Sequence, residues 1–116
     1  MSFDIAVLAM GESADPAAAR AMFERCLSGS HIEGELDERV VKFYERLRSR
    51  FPDRPPYPQD HPWMSTPLDV GIDHVIMNLS FSSRSDAALK MITELAAEYH
   101  LVIWDPQGQE AHLPPK

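Results

Sequence analysis

Residues 69–108, DVGIDHVIMNLSFSSRSDAALKMITELAAEYHLVIWDPQG, read as strand, helix, strand. Between Asp73 and Phe81, the apolar Val75, Met77, Leu79 and Phe81 alternate with His74, Ile76, Asn78 and Ser80, the period-two signature of a strand. Ser82 to Ser85 forms the turn that follows. Ser85 is the expected N-cap of a helix, with Asp86 in its first turn. Leu89, Ile92, Leu95, Ala96 and Tyr99 then fall at helical spacing and define a buried stripe. His100 closes this helix, and Leu101 to Trp104 gives the last strand. Asp105-Pro106-Gln107-Gly108 is a turn, and residues 109–116 are expected to fray.

Upstream of this unit, Phe3 to Ala9 alternates as a first strand. Asp15-Pro16 opens a helix that runs to about Leu27, with Asp15 as N-cap and Pro16 at a position that needs no amide hydrogen. A second helix starts near Asp37 and continues to about Arg50. Its acids sit at the start and its arginines at the end, in accord with the helix dipole. Residues 52–67 follow as a loop with six of the ten prolines, at 52, 55, 56, 58, 62 and 67. Proline blocks both helix interiors and central strands. Tyr57, Trp63 and Met64 give this loop apolar weight that needs a place to pack, and its length exceeds that of a plain connector. Leu68 to Ile72 is a short edge strand.

These elements predict one domain over residues 1–116. Its class is α+β: a ferredoxin-like sandwich with a mainly antiparallel sheet of three to four strands and three helices on one face, in the order β-α-α-(β)-β-α-β. The helix-covered sheet face carries Phe3, Ile5, Val7, Val75, Met77, Leu79, Phe81, Leu101 and Ile103. The opposite face carries Asp4, Ala6, Leu8, His74, Ile76, Asn78, Ser80, Val102 and Trp104. That second face is too apolar to be left to water. The Pro-rich loop, a second copy of the chain, or a ligand or partner is expected to cover it.

With 116 residues, 44% of them hydrophobic and 25% charged, the chain has ordinary globular composition. A net charge of −7 opposes binding to nucleic acid or to anionic membranes and suits a basic protein partner. Cys26 is the single cysteine, so no internal disulfide exists, and its simplest role is that of a small buried apolar group. The N-terminus has no basic stretch before its apolar run, and no apolar run approaches the ~18 residues of a membrane span. A cytoplasmic location is the expectation.

Candidate chemistry is sparse. His31, Glu33 and Glu35 lie within five residues, but Gly34 denies them a common helix face, so a solvated acidic loop is the simpler reading and no metal is assigned. Asp73-His74 and Asp60-His61 have general-base composition. Neighbours in a strand point to opposite faces, so Asp73 is not expected to orient His74. No nucleophile elbow, Walker loop or dinucleotide-binding glycine pattern occurs. No catalytic residue and no cofactor are expected.

Phe3-Asp4, Pro62-Trp63, Ser85 and Asp105-Pro106-Gln107 together carry a resemblance. In these features the chain resembles a family of short uncharacterised bacterial proteins with a mid-chain Pro-Trp and a C-terminal LV-x-x-DPQ strand. The resemblance implies no activity. Some small acidic bacterial proteins of similar build are immunity proteins, an analogy of fold and composition only. The leading expectation is a non-enzymatic protein-binding module, of inhibitor or immunity type. Its anchors are Tyr57, Trp63 and Trp104, because aromatic side chains dominate interface hot spots. The alternative is a small-ligand-binding protein or enzyme with a pocket between the loop and the sheet, lined by His61, Trp63, His74, Asn78 and Trp104. Homodimerisation through the sheet face is a third possibility.

Overall fold

The structure, a computed structural model, describes residues 2–10, 15–27, 34–53, 62–64, 68–80 and 83–113. Five strands and three helices follow one another as β1 (Ser2–Leu8), α1 (Pro16–Leu27), α2 (Glu38–Arg50), β2 (Asp69–Val70), β3 (His74–Ser80), α3 (Arg84–Glu98), β4 (Val102–Asp105) and β5 (Glu110–His112). The strands form one sheet in the order β2-β3-β1-β4-β5, and every neighbouring pair is antiparallel.

The alternating residues of β1 and β3 divide as their parity requires. Those strands pair along their whole length, from Ser2 opposite Ser80 to Leu8 opposite His74. Ile5, Val7, Val75, Met77, Leu79, Leu101 and Ile103 join Val40, Phe43 and Leu47 of α2 and Ala88, Ile92, Leu95 and Ala96 of α3 in the larger core. Phe81 lies outside the described residues.

Two features of the expected sandwich need correction. The sheet has five strands rather than three or four, and the helices lie on both faces. α1 packs against β1, β4 and β5 on the side opposite α2 and α3. There Ala19 and Phe23 meet Ala6, Leu8, Val102 and Trp104, with Met22 and Ile76 at the margin. The apolar second face is covered by the first helix of the same chain. Its stripe of Ala19, Met22 and Phe23 is the partner that Trp104 required.

The fifth strand arises where fraying was expected. Asp105 Oδ1 accepts the Gln107 backbone N–H at 3.0 Å and the Gly108 N–H at 3.3 Å, which folds the chain back so that Glu110 to His112 pairs with β4. The Gln107 side chain then clasps β1. Its Nε2 donates to Asp4 O at 2.8 Å and its Oε1 accepts Asp4 N–H at 2.7 Å, two bonds that extend β1 pairing beyond the end of the β1–β4 ladder. Gln107→Ala is expected to lower folding stability by about 1 kcal/mol, read as a shifted urea midpoint with unchanged slope.

Helix ends follow their capping residues, with one exception. Asp15 Oδ1 accepts the Ala18 N–H at 2.7 Å, and Asp37 Oδ1 accepts the Arg39 N–H at 2.8 Å. Ser85 does not cap α3; Ser83 holds that position. Ser85 is instead buried in the first turn, where its hydroxyl donates to Ser80 O at 2.6 Å and locks the helix start to the end of β3. At the other end, Leu101 N–H returns to Ala96 O at 2.8 Å and His100 takes a left-handed φ of 56°, a Schellman closure built on a non-glycine residue. His100→Gly is expected to raise stability by about 1 kcal/mol, measured by the same denaturation, because the left-handed strain of a β-carbon is relieved.

Candidate functional site

The Pro-rich segment returns to the sheet at Pro62, Trp63 and Met64. Trp63 bridges to Leu79 across the free edge of β3; Met64 N–H donates to Asn78 O at 2.8 Å and Ser80 N–H donates to Pro62 O at 2.9 Å. This short piece and β2 therefore line the same side of β3. Parity sends the Trp63 ring into the larger core, where it is 3% exposed and its indole N–H donates to Phe51 O at 2.9 Å. Trp104 is likewise 3% exposed, under α1.

The two tryptophans lie on opposite faces of the sheet, so a single pocket lined by both does not form. Neither offers an open ring to a partner. Tyr57 and His61 lie outside the described residues, as do His31 and Glu33 of the candidate acidic loop. Asn78 is half-buried on the α1 side of the sheet, where its Nδ2 donates to Asp4 Oδ1 at 2.7 Å. A groove of about 580 Å³ lies elsewhere, between α2 and α3, and mixes Arg46, Arg50 and Lys90 with Glu94 and Glu98 rather than converging one charge on a ligand.

The β2–β3 margin keeps apolar atoms in water. Met64 is 52% exposed and Val70 38% exposed, with the carboxylate of Asp69 exposed between them in sequence. Pro62 sits opposite Ser80 on this edge, with its carbonyl and its hydrogen-free nitrogen both turned toward β3.

His74 has company that the sequence did not predict. Asp73 precedes β3 in a bend, so strand alternation does not govern it, and its Oδ1 lies 2.9 Å from His74 Nδ1. The expectation that Asp73 could not orient His74 is thereby corrected. The other oxygen of Asp73 accepts Arg25 NH2 at 2.7 Å, from the last turn of α1. Cys26, half-buried, stands beside them: its sulfur, a carboxylate oxygen of Asp73 and a ring nitrogen of His74 lie within 4.8 Å of one another. The His74 ring rests against Gly71, where an added Cβ would come to 2.1 Å of Cε1, so only glycine leaves room for the imidazole.

Burial pushes the Asp73 carboxyl up, but the hydrogen bonds from His74 and Arg25 outweigh it and hold the group below the ordinary carboxylate value. Burial pushes the Cys26 thiol above its ordinary value, only partly opposed by the Arg25 hydrogen bond. That direction favours the thiol over the thiolate, the more nucleophilic form. Cys26, Arg25 and Gly71 were not legible as site residues. Arg25 and Asp73 stand 48 residues apart and only the docking of α1 on the second face brings them together.

No helix of the described residues is long and apolar enough to cross a membrane. No family model, curated protein or solved structure matches the chain.

Proposed function

We propose that the chain is a non-enzymatic protein-binding module, and that its contact surface is the β2–β3 margin rather than the buried tryptophans. The observation that carries this reading is the exposure of Met64 and Asp69 on the α1 side of this edge, a flexible thioether near an acid, with Val70 exposed on the other side of the same edge. Methionine adapts its shape to a partner and is favoured at binding surfaces. With a net charge of −7, the partner suited to this margin is basic at its rim and apolar at its centre, as for an inhibitor or immunity type of protein.

The strand order β2-β3-β1-β4, with α3 crossing between β3 and β4, supports a ferredoxin-like reading of the fold, extended by β5 and with α1 carried to the second face. Homodimerisation through the same margin is separated from binding of another protein by sedimentation at high concentration: a monomer removes the homodimer.

Charge insertion tests the proposed surface. Met64→Lys and Val70→Lys are expected to weaken a captured partner by about tenfold or more each while leaving far-ultraviolet circular dichroism intact. A control at Glu94 in α3, replaced by lysine, is expected to leave binding within about twofold. Equal binding by all three folded variants would reject this margin.

A further inference from the structure

We propose that Cys26, Asp73 and His74 form a binding site for a divalent cation of the zinc class. One sulfur, one imidazole nitrogen and one carboxylate oxygen lie within 4.8 Å of one another, supplied by the last turn of α1 and by the bend that leads into β3. That spacing lets all three reach a single ion at ordinary coordination distances of about 2.0–2.3 Å. A sulfur and nitrogen pair selects borderline and soft ions over magnesium and calcium, which prefer oxygen throughout. Three protein donors leave a fourth tetrahedral position to water or to a partner's side chain.

The surroundings fit a cation as well as the donors do. Asp69 is near enough for its charge to act on the Cys26 sulfur, adding negative potential without closing the site. The His74 ring rests against Gly71, which restricts its rotamers, and its 2.9 Å hydrogen bond to Asp73 is exchanged on binding for an ion that both groups share. Arg25 is the competing cation. It bonds Asp73 at 2.7 Å, its side chain is partly exposed, and it stands at a helix end from which it can turn to solvent. In the metal-free protein Arg25 neutralises the Asp73 carboxylate; on binding, the ion takes that role and Cys26 gives up its proton to solvent as it coordinates. Nothing is oxidised or reduced in this exchange.

The experiment uses the whole reduced chain after removal of adventitious metal with a chelator. Cobalt(II) titration is expected to saturate at one ion per chain with a thiolate-to-metal charge-transfer band, and zinc is expected to displace it. Cys26→Ser is expected to abolish that band, and His74→Ala to weaken zinc at least about tenfold. Arg25→Gln is expected to tighten zinc, since it removes the competing charge; a purely structural ion pair gives no such gain. A second measurement needs no variant: one equivalent of zinc is expected to slow maleimide alkylation of Cys26 in the native protein, and magnesium is not. Unsaturable cobalt binding, a band that survives Cys26→Ser, an Arg25→Gln variant that binds zinc no more tightly, or alkylation indifferent to zinc each overturns the site. None of these readouts depends on the protein-binding margin, so the two proposals stand or fall separately.

Discussion

Trp63→Ala is expected to remove about 3–5 kcal/mol of folding stability, the range for truncating a large buried aromatic. The indole is 3% exposed and packs in the core that α2 and α3 share with the sheet. Its N–H is the donor to Phe51 O, so alanine also leaves that carbonyl without this partner where water is scarce. For a domain of this size such a loss is a large share of the whole folding free energy, and partial unfolding at room temperature is within reach. Trp63→Phe retains most of the apolar volume and loses the hydrogen bond, and is expected to cost about 1–2 kcal/mol. Guanidinium denaturation followed by circular dichroism gives both values. The measurement also bears on function. A Trp63→Ala protein within about 1 kcal/mol of the parent, yet unable to bind a partner, would return Trp63 to the surface as an interface anchor.

The case of Trp63 shows how far the sequence could be read. Strand alternation is local, and it placed Ile5, Val7, Val75, Met77 and Leu79 on one face and Ala6, Leu8, Ile76 and Trp104 on the other, as the two cores confirm. The loop composition said that Trp63 must pack somewhere. It did not say on which face, because that depends on the bridge to Leu79 and hence on register across a loop of prolines. The side chosen by α1 was illegible for a related reason. An amphipathic helix declares that it has a buried face but not which side of a sheet it will meet, and the length of chain between Leu27 at the end of α1 and Glu38 at the start of α2 leaves both open. Once α1 lies on the second face, Arg25 and Cys26 come to Asp73 and His74. The candidate cation site is thus a product of topology, and no spacing in the sequence announces it. The tail pairs where fraying is expected because the Asp105-Pro106-Gln107-Gly108 turn, bonded by Asp105, returns the chain to β4, and turn composition alone does not show whether a strand follows.

Asp53→Ala is expected to cost about 2–4 kcal/mol, through two donors left behind. Asp53 is a 2% exposed carboxylate just beyond α2. Its Oδ2 accepts the Tyr44 hydroxyl at 2.6 Å and the Leu68 N–H at 3.0 Å, joining α2 to the point where the chain re-enters the sheet one residue before β2. Burial first and the Asp53 hydrogen bond second push the Tyr44 hydroxyl above its ordinary pKa, which fixes it as the donor at neutral pH. Asp53→Asn keeps the shape and an acceptor oxygen but exchanges charge-assisted bonds for neutral ones, and is expected to cost about 1–2 kcal/mol. Tyr44→Phe with Asp53→Ala is expected to cost less than the sum of the two single changes, because each breaks the same 2.6 Å bond. Amide exchange locates the effect: Leu68 and Gly71 are expected to lose protection in Asp53→Asn before the β1–β3 ladder does, since β2 has only two paired residues to hold it once Asp53 lets go. Additive costs, or exchange that rises evenly over the sheet, would mean that β2 is held by its pairing to β3 alone. Where the expected pattern is found, Asp53 controls the margin at a distance. An Asp53→Asn protein that remains folded presents Val70 on a loosened strand; if the margin is the contact surface proposed above, this variant binds a partner more weakly with neither Met64 nor Val70 changed.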